Sequence, residues 1–360
     1  MSQTSPVCGH TLNFDNLHFT AEQLTSLNEF VVTAVLEAPT LRSYASIITG
    51  IKNDRRIGII PGTFGLVGKA AQGCDPEPQC YEDVAIEKTW EPRYIEFLLD
   101  MCVTELADSL LKYYVDCTNV YDLTKTEIFA FIQSIFVRDL PKMVFRYAWF
   151  GDQAAANWPV GVITPGTDVN FFNVINGFWQ QFAVIYAANP LQLNAMPGNN
   201  QATYALQGTV ATPLLTYNAV NALIDNAIPE LAVQPDRILI VTQSIMQRLR
   251  RQLQALGTAF QDYKLSTNGL EFATWDGIPL LSFPLLDQMI RAYENNGVRW
   301  NDPHRVVYTT LSNLVIGMAC TSLFENLNSF YDPMSRKNRL EASDAFDAKI
   351  IDDRLLMVGR

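Results

Sequence analysis

The sequence predicts an α+β protein, and three observations carry the prediction. Apolar residues recur at helical spacing over 127–148 and again in Tyr217, Val220, Leu223, Ile224 and Ile228. The run Arg237-Ile-Leu-Ile-Val-Thr has the composition of a short buried strand. Residues 305–360 are mostly strand-like, in Val306-Val-Tyr-Thr, Asn313-Leu-Val-Ile-Gly-Met and Ala345-Phe-Asp-Ala-Lys-Ile-Ile. With 360 residues, 48% of them hydrophobic, the chain can build a substantial core in one large domain or two to three lobes.

Residues 1–19 read as an irregular arm. Thr20-Ala-Glu-Gln then opens a short helix, with Thr20 as cap and Gln23 at the capping-box position. Leu24, Leu27, Val31, Val32 and Val35 follow at helical spacing, and Pro39 ends the helix. Residues 50–92 mix strand formers with glycines, pass through the turn cluster Gly73-Cys-Asp-Pro-Glu-Pro-Gln, and resume at Val84-Ala-Ile-Glu-Lys-Thr-Trp. This predicts a long β-hairpin that lacks a core of its own and needs a partner surface; an ordinary mobile loop is the competing reading.

Residues 93–116 read as a helix, because Glu96, Asp100, Thr104, Asp108, Lys112 and Asp116 repeat every four residues as a polar stripe. Residues 127–148 read as a second helix that Pro141 kinks or splits, closed by a glycine stop at Gly151. Residues 153–215 read as loops and short elements, with a helix at Phe178 to Ala188. Residues 216–310 read as a compact α/β unit. In it, Thr242 or Ser244 caps a helix carrying Ile245, Leu249, Leu253 and Leu256 that ends at Gly257. Asp276-Gly277 supplies the positive φ angles of a two-residue type I′ hairpin, and Pro279 suits an edge position. Tyr331-Asp-Pro-Met-Ser reads as a turn.

Motifs that would carry chemistry are missing. The three histidines, His10, His18 and His304, show no metal-ligand spacing, and the two in the arm read as solvent-exposed. Gly62-Thr-Phe-Gly-Leu-Val-Gly with Lys69 lacks the spacing and the hydroxyl residue of a phosphate loop. No Gly-x-Ser-x-Gly elbow occurs. Cys102 or Cys117 with His304 could form a Cys/His pair, but a packed thiol is the commoner outcome. The six scattered cysteines contain no CxxC pair and read as reduced thiols. No cofactor or metal is therefore expected, and no enzymatic role.

Formal charge is −11, which disfavours free nucleic acid as the primary ligand. No Lys or Arg precedes Arg42, and none lies between Arg146 and Arg237. Met1 to Asn13 lacks a basic region followed by an apolar run, and no stretch suits a membrane span, so the expectation is a cytoplasmic product without a membrane role. Arg248, Arg250 and Arg251 form a basic patch whose plainest reading is salt bridging to nearby acids. Arg336-Lys337-x-Arg339 is a second basic cluster with the same ambiguity, able to face nucleic acid or to pair with the acidic stripe of a neighbouring subunit.

Several phrasings resemble one family. Val241-Thr-Gln-Ser-Ile-Met-Gln-Arg-Leu, Thr274-Trp-Asp-Gly-Ile-Pro-Leu-Leu, Pro303-His-Arg-Val-Val-Tyr, Asn313-Leu-Val-Ile-Gly and Phe330-Tyr-Asp-Pro-Met-Ser-Arg-Lys follow one another as in major capsid proteins of tailed phages. The chain resembles the Hong Kong 97-type fold of that family from about residue 20 to 360. The cysteine-bearing loop and the helix at 93–116 further resemble capsid proteins of crAss-like phages.

The resemblance implies an N-terminal arm over 1–49 and an extended loop over 50–92. It implies a peripheral domain with a spine helix over 93–189, an axial α/β domain over 190–304, and returning peripheral strands over 305–360. It also implies a homo-oligomer of pentamers and hexamers in an icosahedral shell, located in the virion and made in a bacterial host. Portal, scaffold or decoration proteins would be partners, and packaged double-stranded DNA a loose contact. Intersubunit contacts would involve Arg55, Arg56, Phe64, Lys69, Glu96, Asp100, Asp108, Arg336, Lys337 and Arg339. A nanocompartment shell of the same fold is the nearest alternative, an enzyme of unidentified type the alternative from another class, and a portal fits less well.

Overall fold

In the computed structural model, residues 41–53, 55–59, 86–102, 122, 124, 127–209, 215–255, 264–265, 271–320 and 328–360 are described. The first elements are β1 (Ser46–Thr49), β2 (Arg56–Ile59), β3 (Ile86–Thr89), β4 (Arg93–Cys102), α1 (Glu127–Phe150), α2 (Phe178–Ala188), β5 (Leu193–Asn194), α3 (Tyr204–Gly208), α4 (Leu215–Asp225) and α5 (Pro229–Ala232). They continue through β6 (Arg237–Val241), α6 (Gln243–Ala255), β7 (Lys264–Leu265), β8 (Glu271–Trp275), β9 (Ile278–Ser282) and α7 (Pro284–Tyr293). The chain then forms β10 (Val306–Thr310), β11 (Leu314–Met318), β12 (Asn328–Asp332), β13 (Lys337–Ile350) and β14 (Leu356–Gly359).

Strand β6 is apolar from Ile238 to Val241 because both of its faces are covered there. It lies inside a seven-stranded sheet of order β5-β14-β10-β6-β9-β8-β7. Leu239, Val241, Leu280, Val306, Tyr308 and Met357 face a core completed by Val220 and Leu223 of α4 and Ile245, Met246 and Leu249 of α6. Ile238, Ile240, Leu281, Val307, Leu356 and Val358 face the other way, into a larger core. That core also takes in α1, α2, α7 and the inner face of a second sheet, so both sheets share it. The second sheet has the order β1-β11-β13-β12, with β4 also paired to β13.

Several sequence readings hold. Helix α1 ends at Phe150 as the glycine stop predicted, the Gly151 N–H returning to the Tyr147 carbonyl (3.0 Å), but it is not split at Pro141: one helix runs from Glu127 to Phe150. The α2 helix and the β6–α6 step stand where the pattern placed them. Asp276 and Gly277 take φ 47° and 74°, as the two-residue turn between β8 and β9 requires. The base of the long hairpin forms as β2 paired antiparallel to β3, with Arg56 opposite Thr89. Its central stretch, the helix expected after Thr20, and the helix end at Gly257 lie outside the described residues.

Three readings need correction. Residues 93–102 are strand, not helix, and the rest of the proposed 93–116 helix lies outside the described residues. A four-residue polar repeat is an even number, so it shares one face of a strand as readily as one face of a helix. The ten-residue antiparallel ladder to β13, from Arg93↔Phe346 to Cys102↔Lys337, decides the matter. Second, residues 305–360, read as returning strands of one domain, divide between the two sheets. Strands β10 and β14 join the seven-stranded sheet, and β11, β12 and β13 the other. Third, Pro279 sits on an interior strand. It is tolerated because β6 pairs only with Leu280 to Ser282, which leaves Pro279 a neighbour on the β8 side alone.

The stretch assigned to the arm also ends in structure: Ser46–Thr49 runs parallel to β11, Ser46 opposite Val315. Below it, Trp90, Ile51 and Val315 form a small core under the hairpin base. Lys88 Nζ donates to the Ile350 carbonyl (2.8 Å) and pairs with Asp353, which ties β3 to the end of β13.

The two sheets meet at Asn313, which is 2% exposed. Its Nδ2 donates to Thr309 Oγ1 (3.1 Å) and to the Asp352 and Leu355 carbonyls (3.0 and 3.1 Å). Its Oδ1 accepts the Asp352 N–H (2.7 Å). One side chain thereby fastens the β10–β11 connection to the β13–β14 connection.

Candidate functional site

Strands β4, β13 and β12 alternate side chains between core and outside. Inward, Phe97 meets Phe136 of α1 edge to face at 5.1 Å, and Phe346 meets Tyr147 at 6.2 Å. Outward stand Tyr94, Glu96, Leu98 and Asp100 of β4, beside Lys337, Arg339 and Glu341 of β13 and Phe330 of β12. Tyr94 is 84% exposed and Leu98 53%, large values for apolar side chains on a regular strand. Across the three strands Phe330, Arg339 and Asp100 lie in one row. Lys337 Nζ donates to Asp100 Oδ2 (3.0 Å), and Arg339 lies within ion-pair distance of Asp100 (3.2 Å) and Asp332 (3.3 Å). The Arg339 Nε and Asp100 Oδ1 atoms are close without hydrogen-bond alignment, so this contact is chiefly Coulombic. The face is thus apolar at Tyr94, Leu98 and Phe330, with a charged network among them.

Of the residues singled out in the sequence, Glu96, Asp100, Lys337 and Arg339 come together on this face. Arg336 occupies the β12–β13 turn at φ 54°. Arg55 and Arg56 lie apart at the hairpin base, Arg55 donating to the Gly50 carbonyl (3.3 Å) and Arg56 pairing with Glu87 (2.9 Å). Phe64, Lys69 and Asp108 lie outside the described residues. Sequence reading missed Tyr94 and Leu98, because in a helix they would have flanked the polar stripe rather than shared its face.

A polar cavity of about 140 Å³ lies between α6, α7 and the chain before β10, lined among others by Ser244, Arg248, Arg251, Asp287, Arg291 and His304. His304 Nε2 lies 2.8 Å from the Gln207 carbonyl, which can only accept, so this nitrogen carries the proton. Nδ1 then accepts from Ser244 Oγ at 2.8 Å. Burial, then the Arg248 and Arg291 charges, push His304 down to about 4. Asp287 accepts the first backbone N–H groups of α6, from Gln243 (2.5 Å) and Ser244 (3.2 Å). The helix is thus capped by a carboxylate of another helix, not by its own Thr242 or Ser244. Burial outweighs these bonds and raises Asp287 to about 6. Ser244 and His304 have the contact of a nucleophile and its base, but the amides that could serve an oxyanion are held by Asp287. Among the described residues Arg248 has no salt bridge, contrary to expectation: its guanidinium donates to the Pro197 carbonyl (2.9 Å) and to that of Gln207.

His304 and Asp287 act on stability with opposite sign. His304, depressed when folded, contributes stability that is present at neutral pH and lost as pH falls toward 4. Asp287, raised when folded, favours the folded state at low pH and loses that contribution as pH rises through 6. Wild-type urea midpoints are expected to vary little from these two groups between about pH 4 and 6. Asp287→Asn should expose an acid loss on the order of 2 kcal/mol over that window, and His304→Gln should instead make stability fall as pH rises across it. Parallel midpoint–pH curves for all three proteins would contradict the assignment.

Among solved structures, the mature capsid of bacteriophage PhiM1 matches with a TM-score of 0.52 at 11% identity, covering 96% of this chain and 92% of that one. A chain of Mycobacterium phage Bobi matches at 0.53 and 12% identity, over 93% of each chain. The chain has a phage capsid fold of the Hong Kong 97 type. The encapsulin of the holo-SrpI complex from Synechococcus elongatus PCC 7942 matches at 0.47 and 10% identity, over 95% of each chain. No protein-family model and no curated protein matches. Within this capsid fold the outward β4–β13–β12 face belongs to the second sheet and the polar cavity to the α/β unit around the seven-stranded sheet. Among the described residues no helix is long and apolar enough to cross a membrane, and no group of His, Cys, Asp or Glu is suited to hold a metal ion.

Proposed function

We propose that this protein is the major capsid protein of a tailed phage, a shell subunit that associates into pentamers and hexamers around double-stranded DNA. The observation that carries the reading is the end-to-end likeness to the PhiM1 mature capsid chain, over more than nine-tenths of both chains. The second sheet, with α1 as spine helix, serves as the peripheral domain, and the α/β unit as the axial domain. Arm 1–49 and loop 50–92 reach neighbouring subunits, and portal, scaffold or decoration proteins complete the particle. The subunit is made in the host cytoplasm and resides in the virion. A chain of charge −11 suits a wall that contains DNA without gripping it. The narrower likeness to crAss-like phages leaned on the 93–116 helix; with Arg93–Cys102 a strand, only the cysteine-bearing loop supports it.

Electron microscopy of the full chain, expressed alone and with its genomic neighbours, tests the reading. Closed icosahedral particles, or free rings of five and six, are the expected result. Small DNA-free shells around a cargo enzyme would favour a nanocompartment, and a monomer that never assembles would refute both. The outward sheet face gives a sharper test. Tyr94→Asp with Glu96→Lys should leave circular dichroism and thermal midpoint unchanged, since both side chains are exposed, yet reduce shell yield at least about tenfold if the face is an intersubunit contact. Normal shells from the double variant would remove this face from the interface.

A further inference from the structure

The polar cavity beside α6 carries an unusual charge balance for so acidic a chain. Arg248, Arg251 and Arg291 all line it, and Asp287 is the one carboxylate among its described lining residues. That carboxylate is already engaged by the Gln243 and Ser244 amides. None of the three arginines has a carboxylate within ion-pair distance among the described residues, although Asp287 feels the Arg291 charge across the cavity. Arg248 is only 8% exposed, and its guanidinium is held by two backbone carbonyls. Buried carbonyls orient a cation but do not neutralise it, and a desolvated charge beside like charge is costly unless an anion is supplied. Burial and the neighbouring Arg251 charge lower Arg248 to about 10, so it remains charged at neutral pH. Arg291 is held over the Trp300 ring at 5.4 Å, which fixes its approach to the same space.

The remaining lining groups suit an anion's other oxygens. Gln207, Gln247 and Ser244 border the cavity, and neutral His304 is locked by its two hydrogen bonds. At about 140 Å³ the space is large enough for a tetrahedral oxyanion together with water. Arginine forks match such oxygens in pairs. We propose that this cavity is an oxyanion site that takes inorganic phosphate or the phosphate group of a small monoester, with Arg251 and Arg291 as its solvent-side clamps and Arg248 at its floor. The site lies in the α/β unit and does not depend on the shell reading.

Isothermal titration calorimetry of the full chain with inorganic phosphate, in chloride buffer of matched ionic strength, tests the proposal. One phosphate is expected per chain, with sulfate competing. Arg251→Gln and Arg291→Gln should each weaken binding about tenfold, the value of one charge-assisted contact, while Arg250→Gln on the same helix, outside the cavity lining, should not. Circular dichroism of each variant establishes that it is folded. Absence of saturable heat in the wild type overturns the proposal. So does binding that all three variants retain, or that all three lose equally, since either result describes a general salt effect.

Discussion

Replacing Trp149 with alanine is expected to cost about 3–5 kcal/mol of folding free energy, read from urea midpoints. Trp149 is fully buried and stands where four parts of the chain meet. Its ring contacts Phe145 on its own helix (6.1 Å), Phe178 and Trp179 of α2 (5.2 and 5.6 Å), Tyr44 before β1 (6.0 Å) and Phe283 between β9 and α7 (6.5 Å). No smaller side chain can keep all of these contacts, and aromatic pairs resist collapse into the space left behind. Val184→Ala is the control. It changes an α2 residue that is 66% exposed and should stay within about 0.5 kcal/mol of wild type. A Trp149→Ala cost below about 1 kcal/mol would mean that the shared core is held elsewhere.

The second large effect is expected at Arg305 and Glu294, an ion pair with side chains only 3% and 8% exposed. Arg305 also donates to the Asp302 and Asn301 carbonyls (2.8 and 2.9 Å) and lies over Trp179 at 4.9 Å. Glu294→Ala leaves a buried cation with carbonyl partners alone and should cost about 3–5 kcal/mol. Arg305→Met combined with Glu294→Leu removes both charges and fills the volume, so it should recover most of that loss. A double-mutant cycle on denaturant midpoints measures the coupling. Additive single-site losses would show that packing of the Arg305 stem, rather than the pair, matters.

Much of this fold was legible because the pattern was local. Helix α1 announces itself through a long apolar periodicity, β6 through an unbroken apolar run, and the β8–β9 turn through Asp276-Gly277. Strand β4 was not, because Glu96 and Asp100 satisfy two periods at once and only the distant β13 chooses between them. Sheet membership of β10 and β14 was hidden for the same reason, since pairing with β6 is set by the tertiary fold. The charged part of the outward face could be foreseen from Lys337, Arg339 and Asp100, which needed partners. The cavity could not. Its residues run from Gln207 to His304, each ordinary in its own segment, and Asp287 reads as a surface acid until α7 brings it to the end of α6.

The joint at Asn313 has a mechanical meaning. A hinge needs a few residues free to absorb dihedral change, and here one buried side chain staples the β10–β11 crossing to the β13–β14 crossing. Bending the sheets at this joint would break the three bonds from Asn313 to the β13–β14 connection. A load on the strand face at Tyr94 should therefore reach the α/β unit through this joint, and the two sheets are expected to tilt together.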